Sequence, residues 1–180
     1  MQRTEINKYD DFWNDPNHLK SRTGQVLRQL GMIENFRSRN FQSILQIGPG
    51  VGAETVALKQ LFLGVNILAF DRDPRAAEAS MRNLVEFQQI DLLTVEADQF
   101  SQIMMTRKID LVLALRTSPA VIKYLLDNVK RGMIVGSLIS GADPAESLDL
   151  YHQITARGGR SVLLEQERGS IEFALIKDFG

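Results

Sequence analysis

The chain contains no cysteine. That one absence excludes disulfides, thiolate metal sites and cysteine nucleophiles together. Histidine is almost as scarce. His18 and His152 stand far apart and form no helical metal pair, so no metal is expected. Charge of one sign is lacking too: Lys and Arg number 21 against 22 Asp and Glu, a formal net charge of −1. No overall electrostatic footprint for nucleic acid results, and nucleic acid is not the expected partner. The nearest thing to a basic cluster, Arg37, Arg39, Arg157 and Arg160, reads as a solvated face before a phosphate site. Long apolar runs are missing as well. The opening MQRTEINKYDDFW has no signal-peptide core, and LFLGVNILAF (61–70) is too short for a bilayer and is broken by Gly64 and Asn66. No membrane partner is expected, and the expected location is the cytoplasm. What is present is a globular composition, 44% hydrophobic and 24% charged over 180 residues, enough for one domain with a substantial core.

From residue 43 short apolar runs alternate with amphipathic ones. Strands are expected over 43–47, 65–71, 92–97, 109–115 and 132–140. Helices are expected over 53–62, 74–89, about 99–106, 118–131 and 143–159. Pro74 and Pro119 suit first helical positions, where the missing N–H costs nothing. The last twenty residues break the rhythm. RSVLLEQE and SIEFALIKDF are β-rich runs joined by Arg168-Gly169, with no room for a helix between them. Five strand–helix units followed by a hairpin imply a doubly wound, mostly parallel α/β sheet that contains one antiparallel strand. Ahead of it, residues 1–40 form an arm with a helix over 16–36, weak at Gly31, and three aromatics at Tyr9, Phe12 and Trp13. The arm either caps the sheet edge or covers the site; residues 41–180 form the domain proper.

The segment ILQIGPGVGAE (44–54) places Gly48, Gly50 and Gly52 directly after the first strand, where an open parallel sheet receives its ligand. Three glycines in one turn suit a close approach to the main chain. A tight turn with no ligand is the alternative. A P-loop would need Lys and Ser/Thr after the last glycine, but Ala53 and Glu54 follow. A dinucleotide is disfavoured because Pro49 removes one N–H and Glu54 adds negative charge at the helix start. A ligand without phosphates fits better. Asp71 ends the second strand nineteen residues beyond Gly52, where a carboxylate can accept both ribose hydroxyls, with Arg72 over the same region. Asp73, before Pro74, reads as a helix cap. Asp98 ends the third strand, where it either meets a base amine, flanked by backbone of Ala97 and Gln99, or caps the next helix.

Together the glycine turn, Asp71, Asp98 and the closing hairpin resemble the class I S-adenosylmethionine-dependent methyltransferases over about residues 41–178. The resemblance implies a Rossmann-like seven-stranded sheet of order 3-2-1-4-5-7-6 with strand seven antiparallel. It implies S-adenosylmethionine as cofactor, held by Gly48, Pro49, Gly50, Gly52, Asp71, Arg72, Ala97, Asp98, Gln99 and Leu115. It implies no particular acceptor. DRDPRAAEAS (71–80) also has some similarity to nicotianamine synthase-like enzymes, which transfer the aminocarboxypropyl group of the same molecule. A cofactor-binding protein without catalysis is a further alternative.

Methyl transfer needs alignment and, for some acceptors, a base at the ends of strands four and five. LALRTSP there lacks the Asn/Asp-Pro-Pro-aromatic turn common in methyltransferases of nucleic-acid base amines and of glutamine. Arg116 at this rim could bind an acidic group on a small-molecule acceptor, or simply form a surface ion pair. Asp143 could act as base or cap the helix before Pro144. The Tyr-x-x-x-Lys pair of short-chain dehydrogenases is missing, since Asn128 follows Tyr124 by four.

Overall fold

In a computed structural model, the described residues are 15–87, 89–93, 108–138, 142–167 and 170–179. The elements run α1 (Pro16–Gly31), β1 (Ser43–Ile47), α2 (Ala53–Leu61), β2 (Asn66–Phe70), α3 (Pro74–Asn83) and β3 (Ile90–Leu93). They continue with β4 (Leu111–Thr117), α4 (Pro119–Asn128), β5 (Met133–Leu138), α5 (Pro144–Ala156), β6 (Arg160–Glu167) and β7 (Ser170–Asp178). One seven-stranded sheet has the order β3-β2-β1-β4-β5-β7-β6, parallel except for β7, which pairs antiparallel with both β5 and β6. This is the Rossmann-like order that the family resemblance implied.

Among the described residues, four of the five helices start at Pro behind Asp15, Asp73, Ser118 or Asp143. In three of them the aspartate carboxylate accepts a first-turn N–H. Strand alternation divides the core between two layers. Ile44, Leu111, Leu113, Met133 and Val135 face α1 and α2 through Val26, Leu30, Ala57 and Leu58. Leu45, Leu68, Val112, Ala114 and Ile134 face α4 and α5 through Ile122, Leu125, Leu150 and Ile154.

Several boundaries differ from the sequence expectation. The helix expected over 16–36 stops at Gly31, and Phe36 turns back to pack on Phe41 and Phe62, ring centroids 5.5 and 5.6 Å away. The helix expected over 74–89 stops at Asn83, because Leu84 is drawn into the interior against Gly52. Strand four runs to Thr117 instead of Leu115, with a register shift against β5 between Ala114 and Thr117. Strand three begins at Ile90, two residues earlier than expected. The expected helix near 99–106 and the Arg168-Gly169 turn lie outside the described residues.

α1 runs antiparallel to β1. Its lower end meets Phe41 and Phe62 at the amino edge of the sheet, while Thr23 and Arg22 reach Ala53 and Glu54 at the carboxyl edge. Its first turn therefore stands beyond the strand ends. An open groove on the opposite, amino edge is lined by Arg39, Lys108, Asp110, Arg131 and Asp178. Its acids are engaged: Asp110 accepts the N–H groups of Gln42 and Ser43 at the start of β1, and Asp178 at the end of β7 pairs with Arg39.

Candidate functional site

The chain leaves β1 through three left-handed glycines, with φ +69° at Gly48, +56° at Gly50 and +92° at Gly52. L-residues resist that region, which accounts for the glycine spacing. The glycines do different work. A Cβ on Gly52 would lie 3.2 Å from Leu84, whereas one on Gly48 would meet nothing within 4 Å. Gly52 lets α3 pack closely; Gly48 leaves open space over the main chain.

Side chains from β2 and α3 hold this turn. The Asp71 carboxylate accepts the Gly50 N–H at 3.1 Å and the Asp73 N–H at 3.0 Å. The Ser80 hydroxyl donates to the Gly50 carbonyl at 2.7 Å, and the Asn83 amide to the Val51 carbonyl at 2.9 Å. Asp73 caps α3 and pairs with Arg75, whose hydrogen bond holds its carboxyl below the usual range. Gln46, buried two residues before the turn, accepts from the Thr55 hydroxyl at 2.6 Å, and its Nε2 meets no acceptor among the described residues. No side-chain hydrogen bond caps α2, which begins at left-handed Gly52. Its first turn is thus open toward the space above Gly48.

At the end of β4, Leu115 is the last buried residue and Arg116 is exposed. Arg116 is non-glycine yet has φ +54°, and its N–H donates to the Ser137 hydroxyl at 2.9 Å. A left-handed residue costs about 1–2 kcal/mol, so neighbouring structure must hold it there. The guanidinium crosses to α1 and donates to Gln25 Oε1 at 3.3 Å. Gln25 also accepts from Arg22, whose other arm pairs with Glu54 at 3.0 Å. Arg22 and Glu54 are nearly buried, at 8% and 12% exposed. The negative charge foreseen at the start of α2 is therefore neutralised by α1.

One helical turn before Arg22, half-buried His18 faces the same way. Burial is the main force holding its imidazole below the ordinary range. Asp15 opposes that shift, Arg22 and Arg116 reinforce it, and Glu54 opposes it. The sequence reading gave no role to His18, Arg22 or Gln25. Their signal was available: 18, 22, 25 and 29 are polar positions at helical spacing, on the side of α1 that also carries Val26 and Leu30.

Of the residues singled out from sequence, Gly48, Pro49, Gly50, Gly52 and Asp71 meet at one turn. Arg72 is exposed beside them. Asp143 caps α5, its carboxylate accepting the Ala145 N–H at 2.9 Å. Ala97, Asp98 and Gln99 lie outside the described residues, as do Tyr9, Phe12 and Trp13. Among the described residues there is no His/Cys/Asp/Glu group suited to a metal and no helix long and apolar enough to cross a membrane.

No family model and no curated protein matches this sequence. Solved structures do. The O-methyltransferase TomG from Streptomyces achromogenes, in complex with S-adenosylmethionine, superposes with a TM-score of 0.69 at 16% identity. The match covers 100% of this chain and 92% of that one. An O-methyltransferase from Bacillus cereus bound to S-adenosylhomocysteine gives 0.60 at 17% identity, over 90% of this chain and 80% of that one. The N-methyltransferase NodS from Bradyrhizobium japonicum, also with S-adenosylhomocysteine, gives 0.59 at 16% identity, covering 91% and 87%. The chain has the fold of the class I methyltransferases.

Proposed function

We propose that this chain is an S-adenosylmethionine-dependent methyltransferase acting on a small molecule. The observation that carries the reading is the open space over left-handed Gly48, bounded by the Asp71 carboxylate and the uncapped start of α2. Main chain with no Cβ above it and open space over it lets a ligand press against the backbone. Gly48, Pro49, Gly50 and Gly52 would pass beneath the methionine end of the cofactor. Asp71, with Arg72 beside it, would accept the ribose hydroxyls; each oxygen has lone pairs beyond the one given to an N–H. Leu115 would supply an apolar wall. Asp98, with Ala97 and Gln99, is assigned the adenine by resemblance alone.

Bound S-adenosylmethionine supplies an activated sulfonium methyl. The chain's own residues then align an acceptor against it and exclude water. Arg116, at the register shift of β4 against β5 and in contact with Gln25, would hold an acidic group on that acceptor. Asp143 is engaged in capping α5, the second of the two roles the sequence offered it. The solved O- and N-methyltransferases of this fold support a cofactor-dependent transfer, and the near-neutral charge supports an acceptor other than nucleic acid.

The test is calorimetry with S-adenosylmethionine and S-adenosylhomocysteine, followed by incubation with small-molecule extracts and identification of the nucleoside product. S-adenosylhomocysteine as product supports methyl transfer. Methylthioadenosine would show aminocarboxypropyl transfer instead, and absence of binding would overturn the reading.

A further inference from the structure

The polar cluster under the first turns of α1 is not needed to hold the cofactor described above, and it has a definite position. Arg22 and Gln25 on α1 contact Glu54 at the start of α2 and Arg116 at the end of β4. These are the two elements that flank the space above Gly48. Because α1 descends from the carboxyl edge, His18 stands about 6 Å further beyond the strand ends than Arg22, on the same helix face. Its ring is half-buried while Asp15, Pro16, Asn17, Lys20 and Ser21 around it are exposed. Helical spacing thus sets the imidazole one turn above Arg22 and the Gln25 amide that meets Arg116.

We infer that His18 is the proton acceptor for the methyl acceptor, which is then a molecule with a proton-bearing hydroxyl or amine. The inference rests on the methyltransferase reading. In the step, the acceptor oxygen or nitrogen forms a bond to the methyl carbon as the carbon–sulfur bond breaks. The bonding pair leaves with sulfur, which becomes a neutral thioether. The acceptor's proton passes to the unprotonated imidazole nitrogen of His18, and the imidazolium returns it to water. A base in this role must be unprotonated at neutral pH. Burial and the Arg22 and Arg116 guanidiniums favour that state, against the pull of Asp15 on its own helix and of Glu54 on α2. Arg116 then has a further role: after burial and Arg22, it adds to what opposes protonation of the base.

The sulfonium charge gives a direct test. With only His18 and His152 in the chain, imidazole NMR resonances can be assigned by a His152→Gln variant. His18 is titrated with saturating S-adenosylmethionine and, separately, with the uncharged thioether S-adenosylhomocysteine. A base within reach of the methyl should titrate at least about half a pH unit lower with the sulfonium than with the thioether. Equal midpoints, with calorimetry showing that both ligands bind, would overturn the inference and leave the methyltransferase reading standing. Failure of both ligands to bind would overturn both. The His18→Gln variant should bind S-adenosylmethionine within about threefold of the parent chain; loss of binding would place His18 in the cofactor site and overturn its role as base.

Discussion

The Asp71 carboxylate spans from the end of β2 to the glycine turn and accepts the Gly50 N–H at 3.1 Å. A residue chosen from sequence for a ligand's hydroxyls thus also holds the main chain beneath that ligand. Its two roles separate by substitution. Asp71→Ala should weaken S-adenosylmethionine about ten- to a hundredfold, from hydrogen bonds to a charged group worth about 1.5–3 kcal/mol, and should lower the melting temperature. Asp71→Asn keeps one acceptor oxygen for Gly50 but turns its amide NH2 toward the Asp73 N–H, so it should restore only part of the thermal stability and not the affinity. Calorimetry showing unchanged affinity in the alanine variant would refute the assignment.

Gly48 and Gly52 should respond differently to the same added methyl. Gly48→Ala meets no neighbour and carries only the left-handed strain of about 1–2 kcal/mol, so it should fold yet lose cofactor affinity. Gly52→Ala adds a contact on Leu84 at 3.2 Å to a similar strain and should lose more stability. Melting curves paired with calorimetry check both. Normal binding by Gly48→Ala would mean that nothing approaches the turn.

The Arg22–Glu54 pair is buried enough for one-sided removal to be costly. Arg22→Met leaves the Glu54 carboxylate without its guanidinium and should cost about 3–5 kcal/mol. Adding Glu54→Leu should recover most of that loss, because two apolar side chains replace two desolvated charges. Denaturant unfolding of the single and double variants reports the difference.

Acid should act through His18 before the carboxylates. Its folded pKa lies below the ordinary histidine value of 6.5, so in the window beneath 6.5 the unfolded chain binds more protons. The His18 contribution is therefore complete above about pH 6.5 and is lost as pH falls through that window. Melting temperatures at pH 7.5 and 5.5 should fall less in His18→Gln than in the parent chain. An identical fall would show that His18 titrates normally.

The alternation of strands and helices and the closing hairpin were legible because each strand is a short apolar run behind a turn signal; the order of the strands in the sheet came from the family resemblance. Helix starts were legible through Pro with a preceding Asp or Ser. Helix ends were not: Asn83 and Gly31 are set by where Leu84 and Phe36 find cover, which is a tertiary matter. Within the site, glycine spacing gave the turn because positive φ selects glycine. The partnership of Arg22 with Glu54 joins residues 32 apart, and local pattern cannot pair them. The left-handed backbone of Arg116 was equally hidden, since nothing in its letter announces a bulge against β5.

α1 is fastened in two chemically different ways along its length. Below, Val26, Leu30 and Ile33 are wedged into hydrocarbon, and water offers them no substitute. Above, Arg22, Thr23 and Gln25 hold the sheet edge by hydrogen bonds that water can replace. Opening free energies should therefore climb along the helix, and amide deuterium uptake should be fast from Lys20 to Arg22 and slow from Leu30 onward. The first two turns can swing away and return while the lower turns keep the sheet closed. An acceptor would gain entry to the cleft through that fraying end without any unfolding of the domain.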